Sequence, residues 1–161
     1  MKTYKLNDLN NPLISVLMPA YNAEKYIKEA IESILNQTFS NFEFIIIDDG
    51  SIDATEEIIK SFKDSRIVYI KNEKNLGLIK TLNKGISIAR GEFIARMDSD
   101  DISMPQRFEL QLDVFKKYKG VDIVNVALKK MSEDGTKLSK YRHNIYPGFE
   151  AIHYLINIDT F

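Results

Sequence analysis

The feature that most constrains this chain is a series of short, unbroken apolar runs separated by amphipathic stretches. Ile14-Ser15-Val16-Leu17-Met18 comes first and is stopped by Pro19. Phe42 to Ile47 comes second, with Ile45-Ile46-Ile47 uninterrupted; Arg66 to Ile70, Phe93-Ile94-Ala95 and Val121 to Leu128 follow. Runs this short and this rich in branched residues read as strands. They do not alternate with polar residues, so the sheet they form should be covered on both faces, as parallel sheets are.

Helical patterns fill the gaps. Ile27, Ala30, Ile31, Ile34 and Leu35 fall at i, i+3, i+4, i+7 and i+8, one apolar stripe, and Asn22 is placed to cap that helix. Asp53 with Glu56 three residues on resembles a capping box and opens a helix carrying Ile58, Ile59 and Phe62. A third helix is expected from Leu78 to Ala89, with Leu78, Leu82, Ile86 and Ala89 on one side and Gly91 breaking it. Pro105 suits the first turn of a fourth, lined by Phe108, Leu112 and Phe115 and ended by Gly120. Fourfold strand-helix alternation predicts an α/β domain with a mostly parallel sheet and helices on both faces.

Past Lys129 the pattern weakens. Asp134-Gly135 signals a turn, and Ala151 to Ile158 reads as a short helix. The domain is expected over residues 13–161, after a polar extension over residues 1–12. The sequence stops at Phe161 inside an apolar stretch, which reads as a truncation. The apolar end at Tyr154, Leu155, Ile156 and Ile158 would then need cover, for instance from a second copy of the chain as a homo-oligomer.

Composition removes several classes of function. A formal net charge of -1 over 161 residues is not that of a nucleic-acid binder. The absence of Cys excludes a disulfide scaffold, a thiolate metal site and a Cys nucleophile. No apolar run approaches the ~20 residues that span a bilayer, and polar Met1 to Asn11 does not read as a signal peptide. The default expectation is therefore a cytoplasmic protein; peripheral association of the full-length protein at the inner face of the cell membrane stays open beside it.

In open α/β sheets ligands bind beyond the carboxyl ends of the strands. Three such ends carry unusual residues: Pro19-Ala20-Tyr21-Asn22, Asp48-Asp49-Gly50-Ser51 and Asp98-Ser99-Asp100-Asp101. In a parallel sheet all three lie on one edge. Their carboxylates would repel each other unless met by a cation, a proton or hydrogen-bond donors. Mg²⁺ or Mn²⁺ is the natural partner, taking one or two carboxylates and completing its shell with phosphates and water. Other residues read more plainly. Asp53 is a helix cap, His143 and His153 are solvated or packed, and Lys116-Lys117-Tyr118-Lys119 is the solvated end of a helix. There is no G-x-G-x-x-G and no Walker-type loop.

The chain resembles the N-terminal part of the inverting glycosyltransferases of family two, with the Rossmann-like GT-A fold. The resemblance is carried by Ile14 to Asn22 and Ser33 to Phe39, then Phe44 to Ser51 and Asn75-Leu76-Gly77, and last Ala89 to Phe93 and Met97 to Arg107. It implies a nucleotide-sugar donor, most commonly UDP-linked, and a glycan or lipid-linked acceptor. It also implies that Pro19, Ala20, Tyr21 and Asp49 contact the base, with Asn22 and Ser99 beside the nucleotide. Asp98 would lie near the ribose and share with Asp100 the divalent metal, Mn²⁺ or Mg²⁺, that bridges the diphosphate.

Two departures qualify what is implied. Where such enzymes often place a basic residue before the Asn of the third helix, Leu82 stands here, which leaves Lys80 as the nearest base. No residue up to Phe161 matches the family's catalytic base, so the chain is expected to be the donor-binding part and inactive alone, with His143, Glu150 and Asp159 the fallback candidates. Two other classes share part of the pattern. A signalling receiver module also binds Mg²⁺ with strand-end Asp residues, and a nucleotidyltransferase shares the metal and nucleotide logic. The first would not need Asp98-Ser99-Asp100-Asp101, and the second would carry a glycine-rich basic loop after its first strand.

Overall fold

The computed structural model describes residues 11–126, 132 and 154–157. Four parallel strands make its centre: β1 (Ile14–Ala20), β2 (Phe42–Asp48), β3 (Ile67–Lys71) and β4 (Phe93–Arg96), in the order β3-β2-β1-β4. The helices between and after them are α1 (Ile27–Leu35), α2 (Thr55–Ser61), α3 (Leu78–Ile88) and α4 (Arg107–Lys117). The order separates this chain from the receiver module, whose strands run 2-1-3-4-5. The first strand runs on through Pro19 to Ala20. Because β4 pairs with β1 only as far as Leu17, the end of β1 has an open edge, where a proline is tolerated.

Strand alternation divides the core in two. Ile14, Val16 and Met18, with Phe42, Phe44, Ile46, Phe93 and Ala95, face α1, α2 and α4. Leu17, Ile45, Ile47 and Ile94 face α3. Helices therefore cover both faces, as the unbroken strands require. The apolar side expected for α3 is only half buried. Leu82 and Ala89 pack on the sheet, but Leu78 and Ile86 are each 50% exposed. The helix sits down instead on Thr81 and Gly85, and a side-chain carbon at Gly85 would lie 3.2 Å from Ile47. Close approach through small residues outweighs burial of the larger ones.

The region after α4 departs from expectation. The last predicted strand is shorter than Val121 to Leu128: β5 spans Ile123–Asn125, and residues 127 and 128 lie outside the described residues. The helix expected over Ala151 to Ile158 is instead, over its described part, a strand, β6 (Tyr154–Asn157). Its backbone lies between β4 and β5 and is antiparallel to both. The physical reason is the open hydrogen-bonding edge of β4, which a helix could not satisfy. The backbone of that part of the apolar end is thus paired inside the sheet. The Asp134-Gly135 turn, His143, Glu150, His153 and Asp159 lie outside the described residues. Among the described residues, no helix is long and apolar enough to cross a membrane.

A buried polar knot fixes the amino ends of the strands. Glu43 accepts from Ser15 Oγ at 2.6 Å, from Arg90 N at 2.7 Å and from Arg90 Nε at 2.8 Å, so its buried carboxylate is saturated. Gly91 N donates to Ser15 Oγ at 2.8 Å, and a side chain at Gly91 would come within 2.5 Å of the Ser15 backbone nitrogen. That contact explains why Arg90-Gly91 precedes β4.

Candidate functional site

The opposite, carboxyl edge opens into a cleft of ≈ 350 Å³. Pro19, Ala20 and Tyr21 line it from β1, Asp49 from the turn after β2, and Asn75, Gly77 and Leu78 from the start of α3. Arg96, Asp98, Ser99 and Asp100 line it from the end of β4. Since β1 pairs with β2 on one side and β4 on the other, Asp49 and Asp98 flank the same strand end. Asp49 N donates to Ala20 O at 2.8 Å, and Met97 N to Leu17 O at 2.9 Å, which locks both turns to β1.

The turn after β2 is a closed structural unit. Asp48 is fully buried and accepts from Ser51 N at 2.8 Å and, more weakly, from the Tyr69 hydroxyl at 3.4 Å. Asp49 Oδ1 accepts from Asn72 Nδ2 at 2.7 Å and Leu76 N at 2.9 Å, while Oδ2 accepts from Gly77 N at 2.9 Å. Burial alone would raise the Asp49 pKa. The donors from Asn72, Leu76, Thr81 and Gly77 outweigh it and hold the carboxyl below its ordinary range. Gly50 takes φ +80, and a side chain there would meet the Lys74 backbone at 2.8 Å, so only glycine fits. One carboxylate and one glycine thereby set the position of the 72–77 loop, which forms a wall of the cleft.

Two residues expected to cap helices do other work. Asn22, at φ 49, does not cap α1, which starts at Ile27 after Tyr26 and without a side-chain cap. Its amide oxygen accepts from Ile52 N at 3.0 Å, and its backbone N–H donates to Ser51 Oγ at 3.0 Å. It therefore staples the turn after β1 to the turn after β2, because the chain needs several more residues before it can start the helix. Asp53 accepts from Thr55 N and from Glu24 N, and Glu24 accepts from Ala54 N. The expected capping box is replaced by this reciprocal clamp, and Glu56 pairs with Lys60 and Lys71 instead. Those two lysines, through hydrogen bonds first, pull the Glu56 pKa down to about 2.

The turn after β4 is built differently. Asp98 accepts a two-point contact from Arg96, Nε to Oδ1 at 3.0 Å and Nη2 to Oδ2 at 3.2 Å. Asp100 is exposed, and no hydrogen bond or ion pair from the described residues reaches its carboxylate. The turn is supported from beneath rather than saturated. Buried Arg107 donates from Nη2 to Arg96 O at 2.9 Å and from Nε to Gln111 Oε1 at 3.2 Å. Burial brings its guanidinium down to about 10, against the pull of Asp101 and Asp98, so it stays charged under the acidic turn. Gln37, at the end of α1, donates to Ser103 Oγ and Met104 O and accepts from Phe108 N. The same loop gives Ser103 N to Ser33 Oγ at 3.0 Å.

Of the residues singled out in the sequence, the structure brings Pro19, Ala20, Tyr21, Asp49, Asp98, Ser99 and Asp100 together around one cleft. Asn22 and Lys80 are not among the lining residues; Lys80 is exposed on the first turn of α3. The sequence reading missed Arg96, Asn75, Gly77 and Leu78 as lining residues. The signal for Arg96 was its place two residues before Asp98, which puts both on one side of an extended segment. Among the described residues no three carboxylate or imidazole groups converge into a closed cation site. Asp98 and Asp100 are hard oxygen donors on an open cleft, a set that fits Mg²⁺ or Mn²⁺ whose remaining ligands are phosphate and water.

Comparison with known proteins adds a family. The model described as "Glycosyl transferase family 2" matches residues 15–160. The uncharacterized glycosyltransferase MJ1057 of Methanocaldococcus jannaschii is 42% identical over 145 residues, covering 88% of this chain and 50% of that protein. The Escherichia coli UDP-Glc:alpha-D-GlcNAc-diphosphoundecaprenol beta-1,3-glucosyltransferase WfgD is 37% identical over 123 residues, covering 73% and 49%. The chain thus spans about half the length of these two relatives. Among solved structures, S. aureus TarS 1-349 in complex with UDP-GlcNAc superposes with a TM-score of 0.69 at 29% identity, covering 77% of this chain and 36% of that one.

Proposed function

The chain belongs to glycosyl transferase family 2, and from that premise we propose that its cleft binds the nucleotide-sugar donor of a sugar transfer. The observation that carries this reading is the convergence of Tyr21, Asp49 and the Asp98–Asp100 turn on one sheet edge. TarS, with the same fold and 29% identity, has been crystallised with UDP and with UDP-GlcNAc, which supports a UDP-linked donor here. Transfer with inversion to a glycan or lipid-linked acceptor extends the reading, and the lipid-linked acceptor in the name of WfgD supports the acceptor class.

Each wall of the cleft has a role. Pro19 and the half-exposed Tyr21 ring offer an apolar face for a base to stack on. Asp49 holds the Leu76-Gly77 backbone in place beside that base. Asp98 and Ser99 lie where the ribose would pass. Asp98 and Asp100 would hold a divalent cation, Mn²⁺ or Mg²⁺, whose chemistry is that of a Lewis acid stabilising the departing diphosphate. The lining carboxylates all have binding or positioning roles, so no general base is assigned among the described residues.

Calorimetric titration of the 161-residue chain with UDP, GDP and uridine, with and without Mn²⁺, tests the reading. Expected are binding of UDP over GDP and stronger binding with Mn²⁺ than with a chelator. No binding of any nucleoside diphosphate would overturn it.

A further inference from the structure

An anionic diphosphate faces a difficulty in this cleft, because three of its lining residues are carboxylates, Asp49, Asp98 and Asp100. Among the described lining residues Arg96 is the one cation. Its guanidinium presents two edges. The Nε and Nη2 edge is spent on the two oxygens of Asp98. The Nη1 edge meets no hydrogen-bond acceptor among the described residues, although the side chain is only 21% exposed. An arginine that is charged, oriented and half-unsatisfied on a cleft wall is built to take a second anion.

We infer that Arg96 is a binding residue for the diphosphate of the donor, received on its Nη1 edge while Asp98 holds the opposite edge. Asp98 then has a positioning role besides any role at the ribose or cation. The main chain keeps the geometry fixed. Arg96 O accepts from buried Arg107, and Met97 N is bound to Leu17 O, so the guanidinium is aimed from an immobile strand end. Arg96 also lies on the same side of β4 as Ile94, the side that faces α3. Gly77 and Leu78, at the start of α3, line the same cleft. Lys80, the base that precedes Asn83 in α3, is outside the lining.

This inference rests on the donor-cleft reading, and its test separates the two. UDP and uridine are titrated calorimetrically into the unaltered chain, Arg96→Met and Arg96→Lys, each with Mn²⁺ and with a chelator. Loss of charge-assisted bonds to phosphate should weaken UDP binding by roughly 10- to 100-fold in Arg96→Met. The loss should persist in chelator, because the contact is made by the side chain itself. Arg96→Lys keeps the charge but not the fork, and should fall between the two. Uridine affinity should fall far less than UDP affinity in both variants, since uridine carries no phosphate for this edge and feels only the loss of the Arg96 hold on Asp98 beside the ribose. Unchanged UDP affinity in Arg96→Met, or a parallel fall in UDP and uridine, would overturn the inference and leave the donor reading standing. Failure of the unaltered chain to bind UDP would remove both.

Discussion

The turn after β2 and the turn after β4 end strands on either side of β1 and are rich in the same residue, yet their carboxylates meet opposite surroundings. Asp48 and Asp49 are buried, at 0% and 4% exposure, and their oxygens are met by backbone and side-chain donors of the fold. Asp98 meets the guanidinium of a neighbouring strand-end arginine, and Asp100 faces solvent. The second turn is instead propped from below, by Arg107 and Gln37, through its backbone. The difference teaches how an enzyme surface can separate holding from binding. A carboxylate saturated by N–H donors sets loop geometry and resists protonation, whereas one left toward a cleft keeps its lone pairs for a ligand.

The contrast breaks most visibly at Gly50. Gly50→Ala forces a side chain onto the Lys74 backbone at a positive φ and should destabilise the protein by about 3 kcal/mol or more. Ser99→Ala in the other turn should change stability by less than about 0.5 kcal/mol. Urea unfolding midpoints of the two variants check this, and equal midpoints would dissolve the distinction.

Asp49→Ala comes next. It strands the donor of buried Asn72 and those of the part-buried Leu76 and Gly77 backbone, and should cost about 2–3 kcal/mol. By loosening a cleft wall, it should also weaken uridine and UDP binding together. A variant of normal stability with only UDP affected would place Asp49 with the other turn.

Asp100→Ala should do the reverse, leaving the unfolding midpoint in place while reducing the gain in UDP affinity from Mn²⁺ by about tenfold. Titration calorimetry reads that gain directly. A large fall in stability would show that Asp100 is also spent on the fold.

The smallest effect is on acid stability. The Asp49 carboxyl has a folded pKa below the ordinary aspartate value of 3.8, so its contribution is complete above that value and is lost as pH falls through the folded pKa. Asp49→Asn should therefore flatten the stability profile below about pH 4 relative to the unaltered chain. Denaturant midpoints measured between pH 5 and about pH 2.5 give the comparison.

Much of this was legible in the residues. Ile45-Ile46-Ile47 and Val16-Leu17-Met18 cannot serve a sheet with a wet face, so parallel strands under two helical layers followed from local pattern alone. The clusters at the strand ends, and with them Pro19, Asp49, Asp98 and Asp100, followed from the rule that such sheets bind at their carboxyl edge. Other assignments depended on contacts between segments distant in sequence. Asn22 met Ser51 and Ile52 rather than its own helix, α3 settled on Gly85 rather than on Leu78 and Ile86, and Tyr154–Asn157 became a strand because β4 offered an open edge. Arg96 reads in isolation as an ordinary charged strand end; only its pairing with Asp98 beside the cleft distinguishes it. Periodicity reports which side of an element is apolar, and so determined the layers and the edge. Which polar groups are spent on the fold and which are left for a ligand depends on donors brought in from other strands, and that the tertiary structure alone decided.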